Sequence, residues 1–226
     1  MSKPSLKLCP DPELQEFVRR LAAAIGEVLR EIRLPGNPSL SSKRVDLNPN
    51  LTPRRQAGRA AGLAYGNLER IETGSVQPRL RTLQLAASGI GSSLPTLIAR
   101  AWWRTLLPEH QFPPELVGAS AIMDRLTAPA VEQLPDSLGR ALGSFRGAFD
   151  PLEAARRAKL SACYYLQLER GERNGSLWAF VSATHALGTS LPALLFVAWT
   201  QDRRLKVAER ELVTRARNAL SAQTWR

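Results

Sequence analysis

The sequence predicts an all-α protein that uses one helical unit twice and closes with a further helix. The first observation behind this is an internal repeat. Gly74 pairs with Gly171 (171 − 74 = 97), and the same offset carries Glu72 to Glu169, Leu80 to Leu177 and Gly91 to Gly188. It continues from Leu94-Pro95 to Leu191-Pro192 and from Trp102 to Trp199 without an insertion. Self-similarity at one fixed offset marks a structural unit built twice. Secondly, apolar residues recur at three- and four-residue steps, the spacing of one helix face. Thirdly, proline, glycine and capping residues cut the chain into pieces of helix length.

The first unit spans 11–103. Leu14, Phe17, Val18, Leu21, Ile25, Val28, Leu29 and Ile32 predict a helix that opens at Asp11-Pro12 and ends at Leu34, before Pro35, Gly36 and Pro38. Residues 35–50 are rich in turn formers and read as a loop inserted into this unit, carrying Lys43 and Arg44. A helix from Thr52 or Pro53 to about Gly62 has Arg54 and Arg55 in its first turn, and the next runs from Ala64 to about Thr73, closed by Gly74. Leu80, Leu83, Leu85 and Ala86 mark the core side of a fourth helix, broken at Gly89 or Gly91; Leu94, Leu97, Ile98, Ala101 and Trp102 mark a fifth.

Residues 104–136 form a Pro-rich connector with one helix, Pro114 to Leu126. The second unit, 137–200, is expected to hold helices at 138–146, 151–158, 161–170, 177–187 and 191–200. Asp150-Pro151-Leu152-Glu153 has cap, first-position proline and acidic third residue in the order of a capping box. From Gln201 to Arg226 a basic amphipathic helix is expected, with Leu205, Ala208, Leu212, Val213, Ala216 and Leu220 on one stripe.

Composition narrows the class of protein. The 226 residues carry a net charge of +11, which points to a polyanionic partner, nucleic acid before an acidic membrane surface. Cys9 and Cys163 lie far apart and without metal-ligand spacing, so reduced thiols and no metal are expected. The start, MSKPSLKLCPDP, lacks the apolar core of a signal peptide, and the most apolar run, Leu191 to Trp199, is too short to cross a bilayer. A cytoplasmic protein is the expectation. His110 and His185 have no nucleophile or carboxylate pattern around them, and no phosphate-binding loop, dinucleotide fingerprint or zinc spacing occurs. Neither an enzyme nor a cofactor is expected.

The repeated stretch resembles the helix-turn-helix family of lambdoid phage repressors, the XRE-like proteins. The family signature is a short helix, a turn with a small residue, a helix ending in (I/L)-E-x-G, then an apolar fourth helix closed by a Gly-x-Ser-Leu-like turn. Here it reads Leu68, Ile71, Glu72, Gly74, Pro78, Leu80, Leu83, then Gly91, Ser93, Leu94, Leu97. In the second copy it reads Leu168, Glu169, Gly171, Asn174, Leu177, then Leu187, Gly188, Ser190, Leu191, Leu194. The matches cover roughly half the chain. Departures are the 35–50 loop, Lys159 where the family has glycine between its second and third helices, and Tyr165 in place of Leu or Ile.

The resemblance implies two tandem five-helix repressor-like domains plus the C-terminal helix. It also implies sequence-specific binding of double-stranded DNA by a transcriptional regulator of bacterial, phage, plasmid or mobile-element origin, associated with the nucleoid. The third helix of each copy would enter the major groove, where base pairs show distinct donor–acceptor patterns. In the first copy its outward residues are Ala64, Tyr65, Gly66, Asn67, Glu69 and Arg70, with Arg54, Arg55, Arg79 and Arg81 as phosphate contacts. Arg70 suits guanine, and Glu72 is expected to be buried and structural. In the second copy the set is Ser161, Ala162, Cys163, Tyr164, Leu166 and Gln167, with Arg156, Arg157 and Lys159 alongside; Gln167 stands where Arg70 does and suits adenine. From Thr52 to Arg100 seven arginines face two glutamates, whereas Ser137 to Thr200 has seven cations and four carboxylates, so the first copy is the stronger electrostatic reader. Loop 35–50 is either a solvated insertion or an arm touching DNA. Contact with a second copy of the chain or with RNA polymerase stays open. The rival reading gives DNA to the first copy alone and makes the second an oligomerisation or anti-activator module.

Overall fold

The computed structural model describes residues 11–33 and 58–223, the side chain of Tyr65 excepted. Among them are eleven helices: α1 (Pro12–Arg33), α2 (Tyr65–Glu72), α3 (Leu80–Gly89), α4 (Leu94–Leu106), α5 (Pro114–Arg125), α6 (Leu134–Arg146), α7 (Pro151–Arg157), α8 (Ala162–Glu169), α9 (Leu177–Ala186), α10 (Leu191–Thr200) and α11 (Val207–Ala222). Residues 58–60 are helical as well. The all-α expectation holds. The bent pair α9–α10, angled at 95°, is mostly core, and no single described helix is long and apolar enough to cross a membrane.

The repeat is written into the backbone. The starts of α8, α9 and α10 each lie 97 residues after those of α2, α3 and α4 (162 − 65, 177 − 80, 191 − 94). Three helix ends close alike in both copies with a left-handed residue: Gly62 and Lys159, Gly74 and Gly171, Gly91 and Gly188. At the first pair, Leu63 N donates to Gly58 O at 2.9 Å and Leu160 N to Ala155 O at 3.0 Å, the wide closure of a Schellman turn. Lys159, at φ 51°, is the described non-glycine residue in this region. It keeps the turn of its glycine counterpart at a steric cost of about 1 kcal/mol.

The first helices match at a different offset. Gly26 and Gly139 make the same close approach to the ends of α2 and α8 (139 − 26 = 113), and Arg33 and Arg146 the same ion pair. The difference, 113 − 97 = 16, is the length of segment 35–50. In each copy the first helix packs on the third and fifth: α1 on α2 and α4, α6 on α8 and α10.

Three boundaries differ from the sequence reading. Helix α6 begins at Leu134, not 138, because Pro135 falls in the first turn, where its missing N–H costs nothing, and Leu134 is fully buried. Helix α4 runs on to Leu106, its core side extended by Thr105. The last helix begins at Val207 rather than Gln201; residues 201–206 turn first, and Lys206 N donates to Glu209 Oε2 at 3.1 Å. Leu85 is half-buried rather than core.

One continuous core joins the two copies. Helix α4 packs on α10, its own counterpart, and an isolated antiparallel bridge pairs Arg79 with Ser176, again counterparts (176 − 79 = 97). Contact between equivalent positions is what a two-fold relation produces. The relation is local. The first nine residues of α1 have no counterpart in α6, α1 packs on α9, and α11 packs on α5 and α10. Trp102 Nε1 reaches Gln223 O at 3.2 Å, fastening the end of the chain to α4.

Candidate nucleic-acid interface

Helices α2 and α8 are held by the same two devices. A Cβ on Gly26 would lie 2.6 Å from the carbonyl oxygens of Ile71 and Glu72; one on Gly139 would lie 2.5 Å from that of Glu169. Only glycine allows that approach. Beside it, Arg33 Nε meets Glu72 Oε1 at 2.9 Å and Arg146 Nη2 meets Glu169 Oε1 at 2.7 Å. Arg30 also donates to Glu72 O at 2.8 Å. Glu72 is 2% exposed, the structural role expected of it.

The outer face of α2 carries little steric cover. Gly66, Asn67 and Arg70 are exposed, as is Ala64 ahead of the helix, while Glu69 is half-buried. Leu68 and Ile71 are core, and Leu63 packs partly against it. A Cβ on Gly66 would meet nothing within 4 Å, so this turn is open to a ligand surface. Arg70 and Arg79 are exposed and have no carboxylate partner among the described residues. Arg81 faces Glu132 at 3.3 Å, an exposed pair that a phosphate could replace at little cost. Arg54, Arg55, the 35–50 loop and the Tyr65 side chain lie outside the described residues.

The second copy is arranged differently. Ser161, Ala162 and Cys163 are exposed, and Tyr164, Leu166 and Gln167 are half-buried. Ser161 caps α8, its Oγ accepting from Tyr164 N at 3.2 Å. Tyr165 is wholly buried; burial and the nearby Glu169 carboxylate push its phenol up to about 12. At the start of α7 stand two carboxylates, in the capping order the sequence shows. Asp150 Oδ2 accepts from Glu153 N at 2.8 Å, and Glu153 holds Arg156 Nε at 2.6 Å and Arg157 Nε at 2.9 Å. These two guanidiniums lower the Glu153 carboxyl to about 2. Lys159 Nζ reaches back to Asp11 Oδ2 at 3.2 Å and lowers that acid too. Arg156, Arg157 and Lys159 therefore rest on acids of their own chain. All three pairs are solvent-exposed enough to exchange for other anions.

Sequence reasoning passed over two features. The pair Arg33/Arg146 was missed because the extra sixteen-residue segment 35–50 hides the 113-residue offset. Arg173 was missed because it follows the helix-closing Gly171 and its counterpart in the first copy is Val76. Its guanidinium lies 4.8 Å from the centroid of the Tyr164 ring, and its Nη1 donates to Gln167 Oε1 at 3.2 Å. Two families of side-chain donors thus face outward, one around Arg70 and one around Arg173. No group of acids, histidines and cysteines among the described residues could hold a metal ion. No family model, characterised protein or solved structure matches the chain.

Proposed function

We propose that the protein binds double-stranded DNA sequence-specifically as a transcriptional regulator. Each copy would be a repressor-like helix-turn-helix domain, with α2 and α8 as reading helices. The observation that carries this reading is the contact between equivalent parts of the two copies, the Arg79–Ser176 bridge and the packing of α4 on α10. A two-fold relation within one chain would turn two similarly folded reading units toward half-sites of opposite orientation. The net charge of +11 supports it, as do the exposed Arg70 and Arg79, which have no carboxylate partner among the described residues, beside an open helix face. A single chain would then cover a whole operator without needing a second copy.

The test is selection from a random duplex library at about 0.15 M salt, where phosphate-only binding is weak. The expected product is a motif with two inverted half-sites, one of which loses a guanine preference in Arg70→Ala. A direct repeat would refute the two-fold arrangement. Binding that enriches no motif and fades as salt rises would refute the regulator itself.

The exposed Cys163 and half-buried Tyr164 and Leu166 favour one second reading, in which α8 meets protein instead of DNA. A change of gel-filtration mass in Tyr164→Glu, together with a selected motif of one half-site, would support it.

A further inference from the structure

The second copy has seven cations between Ser137 and Thr200. Six lie against carboxylates: Arg140 on Asp136 and Asp202, Arg146 on Glu169, Arg156 and Arg157 on Glu153, Lys159 on Asp11, and Arg170 on Glu172. Arg173 alone is held by neutral groups. Its Cζ lies over the Tyr164 ring, and one of its nitrogens donates to the Gln167 amide oxygen. Its full charge therefore remains available to an outside anion or acceptor.

The place where it is held matters. Gln167 is the counterpart of Arg70 (167 − 70 = 97), the exposed arginine on α2 without a carboxylate partner. The first copy supplies a free guanidinium from the helix itself. The second supplies one from the loop behind the helix, tied by a hydrogen bond to the matching helix position. Sequence position differs, but both copies present the same chemical group beside the same turn of the reading helix.

We propose that Arg173 is the base-reading cation of the second copy, and that Gln167 and Tyr164 position it rather than read DNA. This rests on the DNA-binding function proposed above. A guanidinium fixed on an aromatic face and held at one edge loses less freedom on binding, and its remaining donors match guanine O6 and N7. Arg173 takes one of the two lone pairs of the Gln167 amide oxygen, the same atom a bidentate adenine contact would use, so the amide is oriented by the guanidinium before any base arrives. With Arg173 as the reader, the second half-site contains a guanine where the sequence alone suggested adenine.

The test uses the full chain and the selected duplex, with single-base variants compared by competition. Arg173→Ala is expected to lower preference for one guanine in the second half-site by roughly ten- to a hundred-fold and to leave the Arg70 half-site unchanged. Arg173→Lys keeps the charge but not the fork, so affinity returns while the guanine preference does not. Gln167→Ala weakens that same guanine column, and Gln167→Glu, which can still accept from Arg173, retains it. An adenine column lost in Gln167→Ala and untouched in Arg173→Ala would overturn the proposal. So would an Arg173→Ala that weakens all sequences evenly and reduces the salt slope by about one, the mark of a phosphate contact. A wild-type chain that selects no motif would bring down the DNA-binding reading and this inference with it. A selected motif indifferent to Arg173 would bring down only the inference. Arg173 is exposed, and thermal melts of both Arg173 variants at the wild-type midpoint establish that they fold.

Discussion

Replacing Arg146 tests how α8 is held. Arg146 Nε and Nη2 meet Glu169 Oε1 at 2.9 and 2.7 Å, and Nε meets Oε2 at 3.1 Å. The same guanidinium donates through Nη1 to Phe149 O at 2.6 Å and Gly147 O at 3.1 Å. It thus ties the end of α6, the following turn and the end of α8 to one point. The side chains are 20% and 15% exposed, so solvent screens the pair only in part. Arg146→Met keeps most of the aliphatic stem but leaves a mostly buried carboxylate and two carbonyls without their donor. Breaking such a pair costs about 3–5 kcal/mol when fully buried, and the residual exposure places this one near about 3. For a chain of this length that corresponds to roughly 6–12 °C in melting midpoint. The assay is urea and thermal unfolding by circular dichroism on wild type, Arg146→Met, Glu169→Leu and the double variant. The double variant should recover more than half of the single loss, since an apolar pair carries no stranded charge. A loss below about 1 kcal/mol in Arg146→Met, or losses that simply add in the double variant, would refute the claim that the pair fixes α8.

Further predictions concern the turns and the acidic end of α7. Gly171 sits at φ 70° with its would-be Cβ 2.5 Å from Asp136 Cα. Gly171→Ala should therefore lose about 2 kcal/mol or more in urea titration, from left-handed strain plus a backbone clash. Lys159→Ala, at φ 51°, replaces a side chain that already bears the strain and should shift stability by no more than about 0.5 kcal/mol. Glu153, lowered from 4.5 to about 2 by Arg156 and Arg157, should titrate near 2 in a carboxyl-detected NMR series. Because its folded value lies below its unfolded one, the stability it contributes is complete above about pH 4.5 and disappears as pH falls toward 2. Glu153→Gln should flatten the acid limb of the stability curve within that window. A Glu153 resonance titrating at 4.5 would show that the two arginines do not hold it.

The sequence carried the repeat, and with it most of the fold, because the signals involved are local and rigid. A glycine at a left-handed helix end, a serine before Leu94 or Leu191 and an apolar stripe each restrict a few neighbouring residues in the same way in both copies. Three of the helix starts therefore recur at one offset. What stayed hidden depends on distance in the chain. Segment 35–50 breaks the register between α1 and α6, so the match of Arg33 to Arg146 emerges only when Glu72 and Glu169 stand beside them. Leu134 and Pro135 read as connector because a proline interrupts an apolar pattern in sequence, yet it fits a first helical turn in space. The outward residues of α8 were legible as a face, but not their partners. Charge counting treated seven cations in the second copy as equal, whereas the fold sets six of them against acids and brings Arg173 to Gln167. Net charge is a property of composition; free charge is a property of packing. The two copies share the turns and helix starts of α2–α4 and α8–α10 and differ in which arginines the packing leaves without a carboxylate among the described residues; under the proposed function, that difference would tell their half-sites apart.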